Sequence, residues 1–344
     1  MQLLDLILNK YKVVSVVGMS KNAGKTVTLN QIIDEAMEKN IKIGLTSTGR
    51  DGENQDLVTQ TEKPMIYVEE GTLLATTEGT FKYTEAKLEI LEVTDFSTAM
   101  GKIVIVQAKT SGYVQIAGPN TNREIKMVCD KLLARGADLI VVDGALDRIS
   151  SASPSITEAT ILATGAVISR DMNKVIEKTM HQVQLFALPP VQDRDIKIMA
   201  QEIIDQKGYA IIDEDKKVTS IDIQTALNSG DIIGRAITDE TRYVVIGGSL
   251  VTNTLKKIVE TTRKYKNVIF IVRDATKIFI SSKDWLFFKK AGVQVQVIDK
   301  MDPLAVTINP YAPQGYYYEP EEFLANMKKF LNPIPVFDVV LGGE

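Results

Sequence analysis

The chain is poor in the residues that most often carry catalysis: its 344 residues include one histidine and one cysteine. A lone cysteine, Cys129, excludes an internal disulfide, and its setting IKMVCDKLL reads as the inner face of a helix. Ser-His-Asp or Cys-His catalysis, or a two-histidine metal site, would have to be built around His181 alone. That residue lies in NKVIEKTMHQVQLF, whose helical periodicity makes it a packing or surface histidine. A reducing cytoplasm is the compartment expected of such cysteine usage. Long apolar runs are also missing, since DLIVVDGAL and YVVIGGSLV fall far short of the roughly 20 residues that span a bilayer. No dense Lys/Arg block offsets the net charge of -4, so neither a membrane nor nucleic acid is an expected partner. The opening MQLLDLILNKYK lacks a basic leading segment and a small-residue cleavage site, and reads as a short amphipathic helix.

What is present is alternation. Apolar residues at 44% and charged residues at 24% are ordinary globular proportions, and the length fits two compact units. From Tyr11 to about Leu188, β-branched runs alternate with amphipathic stretches, the signature of a mostly parallel sheet covered by helices. KVVSVVG is the first strand, TVTLNQIIDEAMEKN a helix with Leu29, Ile32, Ile33 and Ala36 on one face, and KIGLTST the second strand. Between Pro64 and Pro119 several β-rich pieces follow, with Ser111 to Tyr113 expected to turn an antiparallel hairpin or edge extension. Residues 120–136 form a helix with polar caps, ADLIVVDGALDR a buried strand and TILATGAVIS another. Pro189 and Pro190 end a further helix, which sets the expected divisions at 1–190, a connector or small subdomain at 191–240, and a second, smaller α/β domain at 241–344.

The chemistry concentrates in VSVVGMSKNAGKT, Val14 to Thr26. A triphosphate needs inward-pointing backbone N–H groups, the positive end of a helix, a mobile cation and a magnesium-binding hydroxyl. Gly18 ends the strand, the backbone of Lys21, Asn22, Ala23 and Gly24 can wrap phosphates, Lys25 can reach the outer phosphates, and the Thr26 hydroxyl can ligate Mg²⁺. The strict pattern places four residues between its first glycine and Gly-Lys-Thr, whereas Met19 to Ala23 makes five. Strand, turn and amphipathic helix nevertheless occur in the order that a phosphate loop requires.

Magnesium needs hard oxygen ligands beyond a hydroxyl. LIVVDGALDR brings Asp143 to the end of a buried strand, and LTSTGRDGEN runs out of the second strand into Asp51. In a parallel sheet both strands deliver their carboxyl ends to one edge, beside the loop. Arg50, Asp147, Arg148 and Ser153 lie on the same polar segments and are either ligand contacts or solvated loop residues.

The longer loop resembles that of the dethiobiotin synthetase and cobyrinic acid a,c-diamide synthase group of P-loop NTPases. That resemblance implies ATP as the nucleotide, magnesium as its cation, and a magnesium-binding role for Asp51. Lys25, Asp51 and Asp143 then become the catalytic set, with Thr26, Asp51 and Asp143 on the metal. Families with a signature lysine place it where Ser20 stands here, so Lys21 is not given that intersubunit role. Many related P-loop proteins act as dimers, which makes a homodimer an expectation of the resemblance.

Across the whole chain, GMSKNAGKTVTLN, STGRDGE, DGALDR and ILATGA resemble the reactivating subunits associated with lysine 5,6-aminomutase. This implies an ATP-dependent factor that restores an adenosylcobalamin-dependent aminomutase, together with a companion reactivating subunit. Two other readings stand beside it: a dethiobiotin synthetase-like ligase acting on a small molecule, and a GTPase-like metallochaperone. The nearest string to a guanine-reading motif, Asn173-Lys174-Val175-Ile176, lacks the aspartate and favours adenine. YAPQGYYYEPEEF clusters aromatics in the expected second domain, as a partner surface, ligand wall or core packing.

Overall fold

The computed structural model of the chain describes residues 2–48, 66–145, 155–223 and 229–340. It divides into two compact units, Met1–Met180 with Asp302–Glu344, and His181–Met301.

In the first unit β1 (Val13–Gly18) is buried at every position, as a strand covered on both faces must be. It leads through a loop into α1 (Lys25–Glu38) and then β2 (Ile43–Ser47). Two β-rich pieces, β3 (Ile66–Val68) and β4 (Leu73–Thr77), precede the long β5 (Leu88–Thr98), β6 (Gly101–Ala108) and the short β7 (Gly112–Val114). After α2 (Asn122–Ala134) come β8 (Leu139–Ala145), β9 (Ala159–Gly165) and α3 (Met172–Phe186), whose residues from His181 onward are counted in the second unit.

Strand alternation sends residues to two separate cores. Val14, Val16, Leu139 and Val141 pack with Leu29, Ile32, Ile33 and Ala36 of α1 and with Leu3, Leu4 and Ile7 of the N-terminal turn. Their neighbours Val13, Ile140 and Val142 face the other way, onto Ile125, Val128, Cys129 and Leu132 of α2. Each large aliphatic side chain buried in this way contributes about 1.5–3 kcal/mol. The Thr121 hydroxyl caps α2 by accepting the Glu124 N–H, and Gly136 (φ 85°) lies just past its end.

The second unit contains α4 (Arg194–Asp205), β10 (Tyr209–Asp213), β11 (Val218–Ile221), α5 (Ser229–Ala236), β12 (Thr241–Ile246) and β13 (Leu250–Val251). It continues with α6 (Thr252–Thr261), β14 (Ile269–Val272), β15 (Ile278–Phe279), α7 (Ser282–Ala291) and β16 (Gln294–Val297). Its main sheet runs β11-β10-β12-β14-β16. Ile196, Ala200 and Ile204 of α4 pack on Ile212, Val245 and Ile271 of that sheet.

The chain then returns to the first unit with β17 (Pro303–Asn309), β18 (Tyr311–Ala312), β19 (Tyr316–Tyr317), α8 (Pro320–Leu331) and β20 (Val336–Asp338). The first sheet therefore has nine strands in the order β20-β17-β9-β1-β8-β2-β4-β6-β5, and only the pairings of β6 are antiparallel.

Two expectations are corrected. The division at 190 and 240 gives way to an insertion, because β17 pairs with β9 (Val306 beside Leu162, Ile308 beside Thr164) and belongs to the first sheet. The supposed connector is built into the second unit, where β10 pairs with β12. Parallel pairing joins strands distant in sequence, so a run of β-α alternation gives no sign of which sheet a strand enters. The hairpin near Ser111 is replaced by one between β5 and β6, closing from Thr98 to Gly101, while β7 pairs with β3. Among the described residues no helix is long and apolar enough to cross a membrane.

Candidate functional site

Gly18 ends β1 in register with Ala145 of β8 and Ala163 of β9, so the carboxyl ends of three strands meet where the loop to α1 begins. A Cβ on Gly18 would lie 3.3 Å from the Ser20 carbonyl oxygen and 3.4 Å from Lys25 Cβ, which limits this turn to a small residue. The Met19 N–H donates to the Ala163 carbonyl at 2.8 Å and anchors the loop's first residue to the sheet.

Two residues turn the loop with left-handed backbone, Asn22 at φ 61° and Gly24 at φ 95°. Asparagine and glycine are the residues that tolerate this conformation, and a left-handed turn ahead of a helix presents backbone N–H groups to an anion. Gly24 is the N-cap of α1 and has no side chain to close the first turn. The leading amides of the helix are thus left for an outside acceptor, at the positive end of its dipole. Ala23 is buried, whereas Lys21 and Asn22 are exposed on the rim.

Lys25 Nζ stands 2.8 Å from Asp143 Oδ1. Asp143 pairs in register with Val16 of β1 and Ser47 of β2, so the carboxylate projects from the middle of the three central strands. Its Oδ1 is buried and accepts no well-aligned hydrogen bond; charge rather than hydrogen-bond geometry holds the two groups together. Thr26 follows Lys25 in the first helical turn, half-buried. The Thr28 hydroxyl meets that of Thr307 at 2.7 Å and ties α1 to β17.

The structure brings Gly18, Lys21, Asn22, Ala23, Gly24, Lys25, Thr26 and Asp143 to one sheet edge. Asp51, like Arg50, Asp147, Arg148 and Ser153, lies outside the described residues. Thr26 and Asp143 are hard oxygen donors that fit magnesium. Among the described residues no group of three or more His, Cys, Asp or Glu could hold a metal by itself. Magnesium held by one or two protein oxygens plus phosphates needs no such cage.

Asn309 at the end of β17 is the residue that sequence reasoning missed. Its Nδ2 donates to the Asn22 carbonyl at 3.3 Å, and a Cβ on Gly24 would lie 3.1 Å from Asn309 Cβ. No local pattern announces a contact made by a strand from the far end of the chain.

The two residues that could suggest other chemistry are structural. Burial, reinforced by Asp130, pushes the Cys129 thiol up to about 12, which keeps it protonated and unreactive. In the second unit His181 Nε2 lies 2.8 Å from the Ile280 carbonyl, and its ring meets Trp285 edge-on. Comparison with protein-family models, with curated proteins and with solved structures finds no match to this chain.

Proposed function

We propose that the chain is a Mg-ATP-binding P-loop NTPase that acts, in the cytoplasm, as an ATP-dependent reactivating factor for an adenosylcobalamin-dependent lysine 5,6-aminomutase. The observation that carries the nucleotide reading is the Lys25–Asp143 pair, 2.8 Å apart at the mouth of a left-handed loop that opens a helix.

In this reading the backbone of Lys21 to Gly24 wraps the phosphates and the α1 dipole favours their charge. Lys25, now paired with Asp143, would hold the outer phosphates, and the Thr26 hydroxyl and the Asp143 carboxylate would hold magnesium. Asp51 would be the second acidic ligand, as the resemblance to the dethiobiotin synthetase group implies. Magnesium supplies charge neutralisation on the phosphates. Hydrolysis then changes the relative stability of conformations that the partner distinguishes, since a ligand shifts an equilibrium only through its differential affinity.

The partner assignment is supported by the resemblance of the four sequence stretches quoted above. Its test is to incubate the protein, Mg-ATP and the companion subunit with an inactivated aminomutase and to measure recovered mutase activity. ATP-dependent recovery is expected. No recovery, with a new ATP-dependent small-molecule product, would replace this reading with a ligase.

A further inference from the structure

We propose that the hairpin after β17 is the base-binding wall of the nucleotide site, with Tyr311 and Tyr317 as the platform on which a nucleobase stacks. The inference rests on the nucleotide-binding reading of the loop.

The hairpin begins two residues after Asn309, whose side chain works in both directions: Nδ2 donates to the Asn22 carbonyl at 3.3 Å, and Oδ1 accepts the Tyr311 N–H at 3.0 Å. Tyr311 is thereby held one side chain away from the phosphate loop. In the β18–β19 ladder Tyr311 pairs with Tyr317 and Ala312 with Tyr316. Directly paired residues share a face and their neighbours take the other.

One face is fastened down. The Tyr316 hydroxyl donates to the Ala166 carbonyl at 2.7 Å, and the Arg170 guanidinium sits 4.9 Å from its ring centre. The Tyr318 N–H donates to the Pro310 carbonyl at 3.0 Å, and its ring meets Phe323 at 5.0 Å. The other face carries Tyr311 and Tyr317, ring centres 5.9 Å apart and tilted by 34°, with exposures of 42% and 65%. An anchored hairpin that keeps two large aromatic rings in solvent beside a phosphate loop has the form of a stacking platform. Every base has a π face, so such a platform serves adenine and guanine alike.

The test is calorimetric titration of the full chain with ATP, GTP and tripolyphosphate, each with magnesium. Tripolyphosphate has phosphates without a base. Tyr317→Ala and Tyr311→Ala are expected to weaken ATP and GTP by roughly five- to hundredfold, the range of a lost stacking contact. Tripolyphosphate binding should stay unchanged, which also shows that the loop remains folded, and Tyr317→Phe should bind ATP as the wild type does. Unchanged ATP and GTP binding in both alanine variants would overturn the platform and leave the loop assignment intact. Equal losses for ATP and tripolyphosphate would also overturn it, by making the hairpin a prop for the loop. A wild type that binds neither ATP nor tripolyphosphate would instead overturn the nucleotide reading on which the inference rests.

Discussion

Asn309 Nδ2 donates to the carbonyl of Asn22 at 3.3 Å, joining residues 287 positions apart at the rim of the loop between β1 and α1. The same side chain presses its Cβ toward Gly24, the left-handed residue that starts α1. The loop is thus shaped by its own glycine and by a strand that the chain supplies only after the second unit is complete.

Gly24→Ala places a side chain on a backbone at φ 95° and 3.1 Å from Asn309 Cβ. Left-handed backbone costs a non-glycine residue about 1–2 kcal/mol. The variant should lose at least that much stability in urea unfolding and bind Mg-ATP more weakly. Asn309→Ala should not rescue it, because alanine retains the Cβ that the new methyl meets; recovery in the double variant would show that the strain lies elsewhere.

Asp143→Asn keeps the size of the side chain and removes its charge. Nucleotide affinity should change little, because in the proposed site the phosphates are held by Lys25 and the loop backbone. Turnover should fall by about a hundredfold, as expected when a metal-binding group is neutralised. Steady-state ATPase assays beside calorimetry separate the two effects, and wild-type turnover would remove the magnesium role.

A chain ending at residue 301 lacks β17 and β20, which form the first sheet's flank beyond β9. It uncovers the β9 edge and loses the buried Ala305, Val306, Ile308, Phe323 and Met327. At about 1.5–3 kcal/mol for each large buried side chain, the loss is comparable to the whole stability of a domain. Circular dichroism and thermal unfolding should show no cooperative transition for the first unit. A truncated chain that unfolds cooperatively and binds Mg-ATP would contradict the insertion architecture.

The Tyr11 hydroxyl donates to Asp302 Oδ2 at 2.6 Å. This bond, followed by burial and the charge of Asp302, pushes the phenol from 10.0 up to about 12. A folded pKa above the unfolded one means that the stabilisation is complete below pH 10 and is lost as pH rises toward 12. Tyr11→Phe should cost about 1 kcal/mol at neutral pH, a value discounted for solvent screening of a partly exposed pair. The difference between the wild type and this variant should shrink toward zero over that alkaline window. A constant difference would mean that packing, rather than this hydrogen bond, carries the effect.

Local order was legible in the sequence. The apolar face of α1 at Leu29, Ile32, Ile33 and Ala36, the polar cap of α2, and the buried strand that carries Asp143 follow from periodicity and capping, which act over a few residues; the strand runs on to Ala145. The loop was also legible, since Asn22 and Gly24 are the residue types that left-handed turns select. Long-range pairing was not. Residues 303–309 read like any buried strand, and only the assembled sheet places them beside β9 and brings Asn309 to Gly24. The turn between β5 and β6 was missed for a different reason: its central residues, Ala99 and Met100, carry no turn signature.

The central claim is that this loop holds a magnesium-bound triphosphate through Lys25. Its most direct measurement is calorimetric titration of Mg-ATP into the wild type and Lys25→Ala. The wild type should bind, and the variant should bind about 10- to 100-fold more weakly, the range for losing one hydrogen-bonded charge. Equal affinity in the two proteins would contradict the account.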